Sequence, residues 1–249
     1  MWLEIIYKPT SLFSLKLSGS TNSAGKSLPC PSPYAVKMAL LNAIITYNSL
    51  ENAKKQFNLI RDLDLSFSLP KSFVINNCMI RINKIKRNEF SRKEKEKLRS
   101  DGFSKDDIKK MEIKRRISDP FQSVVAFREY IYLSDSIYIA IDIANMSDVT
   151  VQFLQKWFAQ INYFGKKGCF FQLSDFNVTE SLSNKYIKIF NKSFQPGIMF
   201  PMDDIDKNAE FKNMDNYNSK AKAKRIEKVY IFSYRQVEAN KNYTFFEQY

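Results

Sequence analysis

The sequence predicts an α+β fold, because strand patterns and helix patterns alternate along it. Residues 2–7 are aromatic and β-branched, which is typical of a strand. Ser32 followed by Pro33 suits the start of a helix, and an apolar stripe continues from there to Tyr47. Later patterns are strands at 72–87, 123–133 and 137–143, where the last two form a hairpin or one bent strand, then a helix at 149–161 and a strand at 169–173. The order strand, helix, strand, strand, helix, strand is that of a ferredoxin-like domain.

A highly charged segment separates the two middle strands of this pattern. Residues 88–119 contain eleven basic and eight acidic side chains and few large apolar ones. This mixture fits a solvated helical insertion as well as it fits a contact surface. We predict a ferredoxin-like domain over 1–175, with the insertion at about 88–119. A smaller β-rich part follows over 176–249, where 186–190 and 227–237 have strand patterns.

The charge of the chain favours an anionic partner. Among 249 residues there are 39 Lys and Arg against 26 Asp and Glu, which gives a formal net charge of +13. An excess of this size is more than solubility needs, and it points to nucleic acid or another anionic surface. An AT-rich genome, which favours lysine codons, explains the lysine content better than it explains the net charge.

The chain has no histidine and three widely spaced cysteines. The absence of histidine excludes Ser-His and Cys-His nucleophile pairs and the two-histidine metal motifs, so any catalysis would use Tyr, Lys, Asp or Glu. The cysteine spacing indicates neither a zinc site nor a disulfide framework. We predict no cofactor, no metal, no membrane span and a cytoplasmic location.

Two stretches contain glycine next to lysine. Gly25-Lys26-Ser27 resembles the end of a phosphate-binding loop, but Pro29 and Pro31 follow, so no helix can start there as that motif requires. The second stretch is Gly165 to Gly168, which encloses Lys166 and Lys167. Glycine lets backbone N–H groups approach a ligand, and lysines there favour a phosphate. The alternative is a tight turn from helix to strand, with glycine just after the helix end.

Several motifs together resemble one protein family. They are the Pro-Ser-Pro start of the first helix within 31–37, an Arg-Glu-Tyr strand at 128–130, the ferredoxin-like order and the basic glycine loop after the second helix. On these motifs the chain is similar to the CRISPR-associated RAMP superfamily, and within it to the Cas-five group. The resemblance covers residues 1–47 and 119–173, and the charged insertion lies where members of that group carry a thumb.

The resemblance implies a structural RNA-binding subunit, not an enzyme. In such a complex the subunit holds the 5′ end of the guide RNA (crRNA), contacts backbone and large subunits, and has target DNA nearby. The loop glycines and lysines would bind RNA phosphates, basic side chains would line the same face, and aromatic rings would stack on bases. The predicted RNA-binding residues are Lys26, Tyr34, Lys37, Arg81, Lys86, Arg115, Arg116, Arg128, Tyr130, Phe164, Gly165, Lys166, Lys167 and Gly168.

Two other functions remain open from the sequence. Some relatives cut precursor guide RNA without a metal, using Tyr, Lys and His, although this chain lacks histidine. The other alternative is a basic nucleic-acid-binding assembly protein unrelated to CRISPR. Each aromatic residue named above also suits a position in the core.

Overall fold

The computed structural model describes residues 1–20, 24–86, 89–189, 196–214 and 223–249. They form two compact units, the first made of Met1–Cys78 with Arg128–Tyr249 and the second of residues 79–127. The predicted strand end at Phe190 and the predicted insertion start at Asn88 lie outside the described residues. None of the described helices is both long enough and apolar enough to span a bilayer.

Five α-helices are described. They are α1 Pro33–Tyr47, α2 Leu50–Asp62, α3 Arg92–Ser100, α4 Lys105–Ser118 and α5 Asp148–Phe158. The strands are β1 Trp2–Pro9, β2 Leu15–Lys16, β3 Ala24–Gly25, β4 Ser27–Leu28, β5 Leu65–Ser68, β6 Ser72–Ile85, β7 Phe121–Leu133, β8 Ile137–Asp142, β9 Phe171–Thr179, β10 Lys188–Ile189, β11 Ile198–Ile205, β12 Arg225–Phe232, β13 Tyr234–Ala239 and β14 Tyr243–Gln248. The predicted boundary at residue 175 falls inside β9, and the division of the chain there stays a prediction.

A four-stranded antiparallel sheet lies at the centre of the first unit. Its strand order is β5-β8-β1-β9, and β1 pairs with β8 on one side and with β9 on the other. In β1 the side chains of Leu3, Ile5 and Tyr7 are fully buried, while the residues between them are only partly covered. This period of two means that one face of the sheet packs into the core and the other is more polar.

The second strand of this sheet differs from the predicted one. The sequence pattern assigned that place to 72–87, but β5 occupies it, and β6 belongs to the five-stranded sheet β13-β14-β6-β7-β3. The pairing of 123–133 with 137–143, or their union in one bent strand, is also wrong, because β7 and β8 lie in different sheets. With four residues, β5 is too short for its alternation to be recognised.

The first helix begins and ends where the sequence predicts. Ser32 caps α1 by accepting a hydrogen bond from the Ala35 N–H (3.2 Å), and Pro33 takes the first helical position. The helix packs against α2, α5 and β11. Contact on several sides explains why its sequence is apolar around most of its circumference.

The second unit contains the helical insertion that the charge pattern predicts. Ser91 and Ser104 form capping boxes at the starts of α3 and α4. No residue of α3 is buried, and in α4 only Ile108 is. The two helices are therefore held by caps and surface pairs such as Lys95 with Glu112 (3.0 Å) more than by a core.

Candidate nucleic-acid interface

The glycine-lysine loop at 165–168 is an exposed turn between two anchored residues. Tyr163 bridges Phe170, and the Cys169 N–H donates to the Lys166 carbonyl oxygen (3.2 Å). The buried Cys169 thiol also lies 3.3 Å from the Ser14 carbonyl oxygen, which holds the loop against the segment before β2. All four residues 165–168 are exposed. The loop therefore presents its backbone and both lysines to solvent from a fixed base.

Both glycines of the loop have positive φ angles. The value is +70° at Gly165 and +104° at Gly168. The helix-to-strand alternative expected glycine immediately after the helix, and this is wrong because the cap of α5 is Ala159, six residues before Gly165. The glycines shape the loop itself rather than the helix end.

Replacing Gly165 is expected to cost stability in proportion to how poorly the new residue tolerates a left-handed backbone. A Cβ atom there would lie 3.0 Å from the Leu15 Cδ2 atom. We expect Gly165→Asn to lower the free energy of unfolding by about 1 kcal/mol and Gly165→Val by about 2 to 3 kcal/mol, measured by urea unfolding. Equal losses for the two variants would contradict the backbone explanation.

The prediction that Phe164 stacks on a base is wrong. Its side chain has no exposed surface, and its ring makes edge contacts with Tyr7 (5.1 Å between centroids) and Phe171 (5.2 Å). The ring belongs to the core, where it anchors the loop from below. Its aromatic character therefore serves packing and not RNA recognition.

A cleft of about 370 Å³ opens beside this loop. Its lining includes the predicted residues Tyr34, Gly165 and Lys166, and two cations that the sequence did not single out, Lys16 and Arg225. Lys16 and Lys166 are exposed. Ser32 also lines the cleft, so the amino end of α1, with its partial positive charge, faces the same space. We name this cleft, with the adjoining Gly165–Gly168 turn, the loop cleft.

Arg225 covers one face of the Tyr34 ring. Its guanidinium carbon lies 3.8 Å from the ring centroid, and a guanidinium nitrogen donates to the Tyr34 hydroxyl oxygen (3.0 Å). Asp203 holds the same side chain at 3.4 Å and accepts a hydrogen bond from the Ser18 hydroxyl. The Arg225 side chain remains 40% exposed. A planar cation with an open side therefore lies over Tyr34.

The prediction that Lys37 binds RNA is wrong. Its side chain is 2% exposed, and its ammonium group donates to an Asp204 carboxylate oxygen (2.7 Å) and to the Arg61 carbonyl oxygen (2.8 Å). Burial lowers the pKa of Lys37, while the hydrogen bond that it donates to Asp204 opposes the shift. Lys228 contacts the other Asp204 oxygen (3.3 Å). This ion pair joins α1 to α2 and β11.

The remaining predicted residues of the first unit are Lys26, Arg128 and Tyr130. Lys26 is exposed, and its carbonyl oxygen accepts from the Leu17 N–H (3.0 Å), next to the loop cleft. Arg128 lies against Gly25, where an added Cβ would come within 2.8 Å of its side chain. Tyr130 is half-buried. Their contact with RNA stays a prediction.

Four predicted residues belong to the second unit. Arg81 is exposed on β6, and Arg116 is exposed on α4. Lys86 forms an ion pair with Asp119, and the Arg115 guanidinium lies 4.9 Å from the Phe90 ring centroid. Lys86 and Arg115 therefore have protein partners, which any RNA contact would share or replace.

The comparison with known proteins finds one curated relative over nearly the whole chain. No family model matches the chain. However, it is 22% identical over 254 residues to a CRISPR-associated protein Cas5 from Archaeoglobus fulgidus, and the alignment covers 99% of this chain and 98% of that protein. Over nearly its whole length, the chain is therefore similar to a Cas5 protein. The resemblance drawn from the Pro-Ser-Pro, Arg-Glu-Tyr and glycine-loop motifs is thereby confirmed.

Solved CRISPR structures also resemble this chain, at low similarity. A CRISPR protein from Archaeoglobus fulgidus has a TM-score of 0.44 and 9% identity, covering 100% of this chain and 92% of that one. A chain of a Csm3-Csm4 subcomplex from a type III-A interference complex has a TM-score of 0.39 and 12% identity, and the match covers 98% of this chain and 92% of that one. A chain of a CRISPR RNA-guided surveillance complex has a TM-score of 0.39 and 11% identity, and the match covers 91% of this chain and 88% of that one. A TM-score below 0.5 does not establish a shared fold.

Sequence reasoning missed two residues of the loop cleft. Lys16 lies in the short segment at 11–17, between the first strand and the first helix. Arg225 ends the basic run at 220–225, and such a run usually indicates a solvated surface. Residues 220–222 of this run lie outside the described part of the chain. Neither residue carries a local signal, because they meet only when β11 and β12 fold next to the start of α1.

Proposed function

We propose that this chain is a structural RNA-binding subunit of a CRISPR effector complex, and that the loop cleft holds the 5′ end of the guide RNA. The observation that carries the proposal is the meeting of Lys16, Lys166 and Arg225 at the amino end of α1. A Cas5-type chain with such a cationic cleft suits a single-stranded RNA end.

The chemistry of the loop cleft suits phosphate in three ways. Lys16, Lys166 and Lys167 supply ammonium groups, and the start of α1 supplies oriented N–H dipoles. The glycines let the backbone of the loop come close to a phosphate oxygen without a side chain between them. The net charge of +13 adds long-range attraction for the polymer.

Base stacking in this proposal uses Arg225, where the sequence suggested the aromatic rings of Tyr34, Tyr130 and Phe164. Guanidinium planes stack on unpaired bases as aromatic rings do. Arg225 is held over Tyr34 and by Asp203, so little side-chain entropy is lost when a base stacks on its open side. A stacked base contributes about 1 to 3 kcal/mol, so this pair rivals several lysines.

The fold supports the wider role. We propose that β1, α1, β5, β8, α5 and β9 are the ferredoxin-like core, because their connection and the strand order β5-β8-β1-β9 match that pattern. The α3-α4 insertion would then be the thumb, with Arg81, Lys86, Arg115 and Arg116 as its RNA contacts. Backbone and large subunits of the complex would be neighbours, and target DNA would pass nearby.

We also propose that the chain does not cleave RNA. A metal-independent ribonuclease needs a general base near neutral pH, and this chain contains no histidine. The test is incubation of a repeat-containing RNA with the protein in EDTA. A specific cleavage product that disappears with a Tyr34→Phe variant would overturn this part of the proposal.

The guide-RNA role is tested by sequencing the RNA that copurifies with the chain. The chain is expressed with its genomic neighbours and purified through a salt wash. We expect short RNAs that share a repeat-derived 5′ segment. A random population that moderate salt removes would show that the positive charge binds nucleic acid nonspecifically, and the proposed function would be wrong.

The loop cleft is tested by the salt dependence of RNA binding. The variant Lys16→Ala, Lys166→Ala, Lys167→Ala removes three charges, and each lost phosphate contact lowers the slope of log K against log salt by about 0.7 for a single strand. We therefore expect the slope to fall by about 2, and the affinity for a single-stranded repeat RNA to fall at least tenfold. Fluorescence anisotropy at four salt concentrations measures both quantities.

The matched control removes three exposed lysines of the same unit that lie outside the loop cleft. The variant Lys8→Ala, Lys55→Ala, Lys241→Ala has the same net charge as the test variant. We expect it to keep nearly the whole slope. If both triple variants change affinity and slope equally, the contact is a diffuse charge effect and the loop cleft is not the site.

A further inference from the structure

A second cavity of the first unit, of about 450 Å³, shares no lining residue with the loop cleft. Glu4 lines it, together with Lys71, Tyr138, Lys185, Tyr186 and several serines. We call it the Glu4 cavity. Its volume lies in the range of small-ligand sites, and its lining combines two carboxylates (Glu4 and Asp135), two lysines and two tyrosines.

Glu4 is a fixed acceptor at the inner side of this cavity. Its neighbours in β1, Leu3 and Ile5, are buried in the core, so Glu4 projects from the opposite, polar face of the sheet. Ala140 and Asn177 are its cross-strand partners.

Tyr186 holds the Glu4 carboxylate in place. The Tyr186 hydroxyl donates to the Glu4 Oε1 atom (2.6 Å), and its own side chain is buried. Burial, with Glu4 next to it, raises the pKa of Tyr186, so the hydroxyl remains a proton donor. The Ile187 N–H donates to the Phe67 carbonyl oxygen (2.7 Å), which ties this segment to β5. No residue in the described ranges donates to the second Glu4 oxygen.

Two of the exposed residues that line the Glu4 cavity are cations. Lys71 and Lys185 are exposed, and neither forms an ion pair with any residue that the structure describes. Asp135 also lines the cavity, but its Oδ1 atom accepts from the Ser136 N–H (2.7 Å) within its own turn. A ligand would therefore meet an acceptor at the inner side and two exposed cations.

This arrangement selects a ligand with hydrogen-bond donors at one end and an anion at the other. Guanine carries adjacent N1–H and N2–H donors that match the two oxygens of one carboxylate, and a tyrosine ring such as Tyr138 offers a surface for stacking. Neither adenine, cytosine nor uracil carries two adjacent donors on its pairing edge. The phosphate of the same nucleotide would reach the lysines.

We propose that the Glu4 cavity binds a guanine nucleotide, with the base against Glu4 and Tyr138 and the phosphate at Lys71 and Lys185. The nucleotide has two sources, free guanosine monophosphate or a guanosine within single-stranded RNA. The proposal does not depend on the guide-RNA role, because the two cavities have separate lining residues.

The first test compares the four nucleoside monophosphates by titration calorimetry on the full chain. We expect guanosine monophosphate to bind at least tenfold more tightly than the other three, since a paired set of hydrogen bonds discriminates bases by about that factor. Glu4→Gln still accepts from Tyr186 but presents one donor to the base, so the preference should fall below about twofold. Glu51→Gln, an exposed glutamate on α2, is the control and should keep the preference.

The second test separates the contribution of the base to binding from that of the phosphate. Lys71→Ala with Lys185→Ala should weaken guanosine monophosphate at least tenfold while leaving binding of guanosine, which has no phosphate, within twofold. The control pair is Lys8→Ala with Lys55→Ala. Equal binding of all four nucleotides, no saturable binding at millimolar concentration, or a Glu4→Gln variant that keeps the preference would each overturn the proposal.

A competition experiment decides whether the bound guanine belongs to a free nucleotide or to RNA. A uridine oligonucleotide with one central guanosine that displaces the mononucleotide, when the all-uridine oligonucleotide of equal length does not, assigns the site to RNA. Failure of both oligonucleotides to displace bound guanosine monophosphate assigns it to the free nucleotide. The salt-dependence experiment tests the loop cleft and not the Glu4 cavity. The proposed function and the guanine site can therefore fail independently of each other.

Discussion

Replacing Lys37 by methionine is expected to lower the free energy of unfolding by about 3 kcal/mol. Removing one partner of a buried ion pair leaves the other charge without compensation, which costs about 3 to 5 kcal/mol. We expect the lower end of this range, because Asp204 keeps Lys228 at 3.3 Å and the Ile205 N–H at 2.8 Å. Urea unfolding followed by circular dichroism measures the loss.

Replacing Asp204, the other partner of this ion pair, should lower the free energy of unfolding by more. Asp204→Leu leaves the Lys37 ammonium buried with the Arg61 carbonyl oxygen as its remaining partner, and we expect a loss of about 5 kcal/mol. The double variant Lys37→Met, Asp204→Leu should lose less than the sum of the single changes, because it leaves no unpaired charge in the core. Lys55→Met, on the exposed side of α2, is the control. A loss below 1 kcal/mol for Lys37→Met would show that the pair is not needed for stability.

Replacing Phe164 by alanine is expected to cost about 3 to 5 kcal/mol of stability. The ring is fully buried between Tyr7 and Phe171, and truncating such a ring leaves a cavity that the neighbours fill only in part. Since Phe164 anchors the loop that carries Lys166 and Lys167, the variant should also weaken RNA binding. We expect weaker RNA binding only under conditions where circular dichroism shows that part of the variant protein has unfolded.

Phe170 is the matched control within the same loop region. Its side chain is 47% exposed, and Phe170→Ala should cost about 1 kcal/mol or less. If Phe164→Ala weakened RNA binding without a loss of stability, its ring would be a recognition residue after all. Equal stability losses in the two variants would also contradict the anchoring role.

Much of the fold follows from local sequence. Ser32-Pro33 marks the start of α1, and the alternation of Leu3, Ile5 and Tyr7 marks the buried face of β1. The mixed charges of the insertion indicate its solvated helices correctly. These features are readable because each depends on neighbours within about one helical turn or one strand.

The resemblance to Cas5 proteins was also visible in the sequence, although no single motif was specific. The glycine-lysine loop and the Arg-Glu-Tyr strand are each weak alone, but their order along the chain narrowed the choice. The net charge of +13 pointed to nucleic acid and did not name the residues that would touch it.

The tertiary structure decided which side chains remain available to a ligand. Lys37 and Phe164 look like surface recognition residues in the sequence, and both are buried, one by Asp204 across 167 positions of chain and one by Tyr7. Lys16 and Arg225 look unremarkable, and both line the loop cleft. The sequence by itself determined the charge, most of the element types and the resemblance to Cas5 proteins. The partners of each charge depended on contacts between distant segments, and only the folded chain determines those, because burial and pairing are set by neighbours in space and not along the chain.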